Sequence, residues 1–120
     1  MRVSEAKQMT GERREKTLSR LFQLQSEGFK QALRAMEARK LNIAAKTLDG
    51  FARTRANIKV LMLSKKRSSL SIEVKIKEKL EELQKNTEAF KAAVQLNSVK
   101  DAKNFSRWGI ELISELAELD

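Results

Sequence analysis

The chain has 120 residues, which suffice for one domain with its own core and are too few for two ordinary domains. It contains no Cys, no His and no Tyr. The composition therefore excludes disulfides, thiolate and imidazole metal sites, and the usual general base near neutral pH. No apolar run approaches the roughly 18 residues of a membrane span, so we expect a cytoplasmic protein that does not enter the membrane.

The composition also favours helix over strand throughout, because Pro is absent, Gly occurs four times, and Lys, Glu, Ala, Leu, Gln and Arg abound. The net charge of +9 is unevenly distributed. Residues 1–67 carry 17 Lys/Arg against 6 Asp/Glu, a net +11, whereas residues 68–120 carry 8 against 10, a net −2. The basic half is where a polyanion or an acidic protein would bind.

The first predicted helix follows about ten polar, aperiodic residues, which we interpret as a flexible tail. An apolar seam with helical spacing runs down this helix of about 28 residues and consists of Leu18, Phe22, Gln25, Phe29, Ala32 and Met36. Gln25 is the one polar member of this seam. The connection "EARKLN" is short, so the next helix is predicted to return antiparallel.

The second predicted helix, from about Asn42 to Ser64, contains the stretch "AAKTLDGFAR". This stretch resembles the helix-turn-helix of DNA-binding proteins. It differs from that pattern by one additional residue, Asp49, before the glycine. The other interpretation is one helix through Gly50, since glycine costs only about 1 kcal/mol inside a helix. A single apolar stripe passes this position, and we favour the continuous helix; the stripe consists of Leu41, Ala45, Leu48 and Ala52.

Arg55 and Lys59 do not fit that stripe. At about 100° per residue, both side chains would enter the apolar face, where unpaired charges cannot be buried without large cost. Either the chain bends near Gly50, or the apolar face turns toward another neighbour and leaves Arg55 and Lys59 at an open groove. Both outcomes predict that these two residues contact a partner.

The segment "SKKRSSLS", residues 64–71, is the predicted loop that divides the chain into two hairpins. The third helix is predicted from about Ile72 to Leu96, with a heptad seam of Ile76, Leu80, Leu83, Thr87, Phe90 and Val94. On its outer face, Glu73 with Lys77 and Glu81 with Lys85 have the spacing of i,i+4 ion pairs.

The fourth helix is predicted to begin at a capping box formed by Ser98 and Asp101. Trp108 broadens its apolar stripe and is therefore predicted to lie in the core. The stripe also contains Ala102, Phe105, Gly109, Leu112, Ile113, Leu116 and Leu119. The acidic positions Glu111, Glu115 and Glu118 form a predicted solvated face.

These elements predict an all-α single domain, a four-helix bundle-like arrangement of two antiparallel hairpins. A weak internal repeat supports the two hairpins, since "SEGFKQAL" at 26–33 matches "TEAFKAAV" at 87–94. The second halves also align, with "AKTLDGF" at 45–51 opposite "AKNFSRW" at 102–108.

The function expected first is a non-enzymatic protein-interaction or assembly module, adaptor-like or chaperone-like, acting through helical faces on a partner protein or as a homodimer. The alternative is a nucleic-acid-binding protein that uses the basic face of the second helix and the following loop. No cofactor, metal or small-molecule substrate is expected. The candidate binding residues for either function are Arg13, Arg14, Arg20, Arg53, Arg55, Lys59, Lys65, Lys66 and Arg67.

Overall fold

The computed structural model describes residues 1–65 and 69–120, which contain six α-helices and no strand. The helices are α1 (Val3–Gln8), α2 (Gly11–Glu37), α3 (Leu41–Asp49), α4 (Phe51–Ser64), α5 (Leu70–Gln95) and α6 (Val99–Leu119). The all-α, bundle-like prediction is confirmed. Within the described ranges, every helix is too short or too polar to cross a membrane.

Two helical hairpins make up most of the bundle. The α5–α6 pair has the most extensive contact, and α2 packs against α3, α4 and α6. Both hairpin turns have the same geometry: Arg39 and Asn97 have φ of 60° and 53°, and the next N–H donates back across the turn. Lys40 N–H donates to the Ala35 carbonyl at 2.7 Å, and Ser98 N–H donates to the Ala93 carbonyl at 2.9 Å. Both turns are therefore Schellman motifs, and this equivalence agrees with the internal repeat.

Phe29 occupies the centre of the core and is fully buried. Its ring meets Phe51 edge-on at a centroid distance of 4.8 Å, and it stacks against Phe90 at 6.1 Å. The predicted α5 seam is buried at all six positions, and the α2 seam is buried except for half-buried Phe22. Gln25 is only 1% exposed, and neither its amide nitrogen nor its amide oxygen has a hydrogen-bond partner in the described part of the chain.

Gly109 allows α6 to approach α2 and α5 closely. A Cβ atom at this position would lie 2.5 Å from Phe29 Cζ and 2.8 Å from Asn86 Nδ2. Both neighbours are buried, so neither can move without disturbing the core.

Replacing Gly109 by alanine is therefore expected to lower the free energy of unfolding by about 1–3 kcal/mol, the usual effect of overpacking. Helix propensity alone would raise stability by about 1 kcal/mol, so the sign of the change reports the close packing. Urea unfolding measures it. The control is Gly50→Ala, where the nearest neighbour of a Cβ is the Thr47 carbonyl oxygen at 3.5 Å and no loss is expected. Equal gains in both variants would contradict the prediction.

The favoured interpretation of a continuous second helix is wrong, because the chain is divided at Gly50 into α3 and α4. Gly50 itself has helical dihedral angles, φ −71° and ψ −14°, and its N–H still donates to the Lys46 carbonyl. This one-residue interruption lacks the three- to four-residue turn of a helix-turn-helix. The apolar face changes direction there: Leu48 is buried, Ala52 is exposed, and Phe51 and Ile58 point into the core.

The first ten residues, predicted as a flexible tail, include the short helix α1, which packs against α4. Ala6 and Met9 are buried. The Met1 carbonyl accepts hydrogen bonds from Arg53 Nε and Asn57 Nδ2, each at 3.2 Å. Burial of Ala6 and Met9 and these two hydrogen bonds hold the segment in place. A helix of six residues is too short to show an apolar periodicity, so the sequence did not indicate it.

Helix α6 begins as predicted after Ser98, whose Oγ accepts from the Asp101 N–H at 3.4 Å. The reciprocal half of the capping box does not form, because the Ser98 N–H donates to Ala93 in the hairpin turn. The prediction that Trp108 lies in the core is wrong, since its side chain is 53% exposed. The buried face of α6 runs instead through Ser106, Gly109 and Ile113.

Candidate partner-binding groove

A groove of about 470 Å³ opens between α4 and α5. Small residues of α4 form its floor, and charged side chains stand along its edges. The lining residues are Ala52, Arg55, Ala56, Lys59, Lys77, Leu80, Glu81 and Gln84. The contact between α4 and α5 is much less extensive than that between α5 and α6, which leaves this side of the bundle open.

One line of residues along α4 is apolar, and its half-buried members Val60 and Leu63 pack against the core. Its residues follow the four-four-three spacing of one helix face and are Ala52, Ala56, Val60 and Leu63. Ala52 is exposed and the other three are half-buried. On α5, Leu70 and Val74 are 75% and 46% exposed and share a face with Lys77 and Glu81. The apolar residues that line the groove are therefore Ala52 and Ala56 on α4 and Leu80 on α5.

Arg55 is the most unusual side chain in the groove. It is half-buried, yet no carboxylate of residues 1–65 or 69–120 lies within ion-pair distance of its guanidinium. Burial lowers the pKa of Arg55, and the charge of Glu88 offsets only part of that effect. A partly desolvated cation without an anionic partner is unfavourable, so this position gains from a ligand that brings a carboxylate or phosphate.

Lys59 and Lys77 extend the positive charge along the groove. Both are exposed, and neither forms an ion pair with a described residue. The predicted Glu73–Lys77 pair is absent there, whereas the predicted pair of Glu81 with Lys85 forms at 3.8 Å. The one acid lining the groove is thus already paired, and the three cations are not.

The other predicted binding residues do not join this groove. Arg13 and Arg20 line a separate depression of about 390 Å³ between α1 and α2, together with exposed Leu24. Arg53 lies on the opposite side of α4 from Arg55, where it donates to Met1. The structure therefore divides the predicted basic residues between two faces.

Arg14 is not available to a partner, which corrects its inclusion among the candidate residues. It is 5% exposed; its Nε donates to the Leu61 carbonyl at 2.8 Å, and its Nη2 pairs with Asp120 Oδ1 at 2.9 Å. Glu15 contacts the same guanidinium. Burial lowers the pKa of Arg14, but the hydrogen bond and charge of Asp120, with help from Glu15, more than offset it and raise the pKa.

The predicted loop site is only partly described. Lys65 is exposed, and its Nζ donates to the Asp120 carbonyl at 2.7 Å. Lys66 and Arg67 lie outside the described residues. Sequence reasoning missed Lys77, because its spacing from Glu73 suggested an ion pair on a solvated face.

Comparison with known proteins supplies no relative for this chain: no protein family, no curated protein and no solved structure matches it. In the two described ranges, no group of three or more acidic residues is placed so that it could hold a metal ion.

Proposed function

We propose that the protein is a non-enzymatic helical interaction module, and that its α4–α5 groove binds an acidic amphipathic helix of a partner protein. The observation that carries this proposal is Arg55, a half-buried cation without an ion-pair partner, at the edge of an apolar groove. A bound acidic helix would supply the carboxylate that Arg55 lacks.

Helix-in-groove binding suits the shape of this surface. Ala52 and Ala56 have only methyl groups, so a second helix can approach α4 closely. On the α5 side Leu80 lines the groove, and the same helix exposes Leu70 and Val74 on the face of Lys77. Carboxylates on the flanks of the bound helix would reach the cations at the edge, and an Arg–carboxylate pair adds two parallel hydrogen bonds.

Nucleic acid binding, the alternative, has less support. A phosphate backbone calls for cations that follow one continuous path, whereas Arg13 and Arg20 lie in a different depression from Arg55 and Lys59. Arg14 is buried in an ion pair. The apolar residues that line the groove, Ala52, Ala56 and Leu80, also match no part of a phosphate backbone.

A binding experiment with matched variants tests the proposal. The probe is a labelled helical peptide with Leu and Ala on one face and Glu at i,i+4 positions on its flanks, titrated by fluorescence anisotropy. Arg55→Glu is expected to raise Kd by tenfold or more, about 1.4 kcal/mol. Arg34→Glu reverses the charge of an exposed arginine on α2 and serves as the control with the same net charge.

Equal affinity of both variants and the unaltered protein for the peptide would overturn the groove assignment. Oligonucleotides form the second arm of the titration. Tighter binding to single-stranded or duplex DNA or RNA than to the peptide, with a steep loss of affinity as salt rises, would favour the nucleic-acid function instead.

A further inference from the structure

The outer face of α6 has chemistry complementary to the groove. Trp108 is 53% exposed there, and Glu111 and Glu118 are exposed without an ion pair to any described residue. Glu115, between them, pairs with Lys79 at 2.6 Å while its side chain stays 47% exposed. A large exposed aromatic ring beside a row of carboxylates is a contact surface that solvation alone does not explain.

The spacing of charges on the two surfaces is the same. Glu111 and Glu115 are four residues apart on α6, and Arg55 and Lys59 are four residues apart on α4. Each pair is therefore separated by about 6 Å along its helix axis. Two helices laid side by side can bring both acids opposite both cations at once.

We propose that the occupant of the α4–α5 groove is the α6 face of a second copy of this chain. This inference rests on the proposed function of the groove. Trp108 lies over the methyl groups of Ala52 and Ala56, where its ring faces the Arg55 guanidinium in a cation–π contact. Glu111 and Glu115 of the incoming copy face Arg55 and Lys59. The second carboxylate oxygen of Glu115 keeps its contact with Lys79, because an ionised carboxylate accepts several hydrogen bonds.

The contact joins two different surfaces, so it is heterologous. Each added copy buries one groove and one α6 face and leaves one of each free at the ends. Association therefore grows with concentration into open chains, or into rings where the rotation between copies closes. The net charge of +9 opposes association at long range, and screening by physiological salt limits that repulsion to about 8 Å.

Sedimentation equilibrium over a concentration series, with two complementary variants, tests this arrangement. The groove variant is Arg55→Glu/Lys59→Glu, and the face variant is Trp108→Ala/Glu111→Lys. The unaltered protein is expected to show an average mass that rises above the monomer's 13.7 kDa as its concentration increases. Each variant alone is expected to remain a monomer.

An equimolar mixture of the two variants gives the decisive result. The groove variant keeps an intact α6 face and the face variant keeps an intact groove, so the mixture is expected to form a 1:1 dimer and no larger species. A monomeric mixture, or variants that associate like the unaltered protein, would overturn the proposal. Circular dichroism verifies that both variants are folded, and Lys59→Glu alone, at an exposed position, replaces the groove variant if the double change unfolds the chain.

The two proposals fail separately. If the unaltered protein stays monomeric over the whole series, the second copy is not the occupant and this inference falls. If the same protein nevertheless binds the acidic peptide, and Arg55→Glu abolishes that binding, the groove remains a docking site for another protein.

Discussion

Replacing Phe29 by alanine is expected to lower the free energy of unfolding by about 3–5 kcal/mol, the range for large-to-small changes at a buried phenylalanine. Phe29 is fully buried, and it contacts rings from two other helices, Phe51 on α4 and Phe90 on α5. It also fills the space against Gly109 of α6. Truncation removes these contacts at once and leaves a cavity at the point where the hairpins meet. Urea unfolding followed by far-UV circular dichroism measures the loss.

Phe22→Ala is the matched control for this substitution. It removes the same ring from the same helix, two turns earlier and at a half-buried position without a close aromatic neighbour among the described residues. We expect less than half the loss found for Phe29→Ala. Equal losses at the two positions would contradict this expectation, because Phe29 is both more deeply buried than Phe22 and placed where four helices meet.

The residues of this core could largely be predicted from the sequence. Every member of the α5 seam is buried, from Ile76 to Val94, because a period of 3.6 residues assigns the inward face of a helix before its neighbours are known. The start of α6 was also predicted from local chemistry, since Ser98 caps the helix by accepting a bond from the N–H of Asp101, only three positions away. These features depend on local geometry.

Features that depend on tertiary packing could not be predicted in this way. Gly50 lies in helical geometry; α3 and α4 both pack against α2 and α5, and α4 packs in addition against α1, a contact that the sequence did not indicate. Trp108 has the spacing of a core residue, yet the smaller Ser106 and Gly109 face inward beside Phe29. Periodicity gives the width of an apolar stripe and does not say which of its edges a neighbouring helix covers.

Only the α4 side of the groove could be predicted from the sequence. Arg55 and Lys59 were identified because a charge within an apolar stripe needs an explanation in any fold. Lys77 and Leu80 belong to α5, and only the placement of α5 beside α4 brings them to the same groove as Arg55 and Lys59. Arg14 was wrongly included among the binding residues, because the sequence does not show that Arg14 is buried while its neighbour Arg13 is exposed.

Arg14→Met is expected to lower the free energy of unfolding by about 2–3 kcal/mol, since hydrogen bonds to charged groups contribute about 1.5–3 kcal/mol each. Methionine keeps the apolar part of the side chain but leaves the Leu61 carbonyl and the Asp120 carboxylate without their guanidinium partner. The loss falls below the full penalty for breaking a buried pair, because Asp120 follows the last residue of α6 and can turn toward water.

Arg13→Met provides the control one position earlier, where the arginine is exposed, and there the change in stability is expected to stay within about 0.5 kcal/mol. The contrast between the two variants separates an arginine that stabilises the fold from one that binds a partner. If Arg13→Met weakens a binding reaction while leaving stability unchanged, Arg13 faces a partner. Equal stability of the two methionine variants would contradict the structural role of Arg14. A loss at Arg14 that persists in high salt is expected, because a pair with side-chain exposures of 6% and 10% is poorly screened.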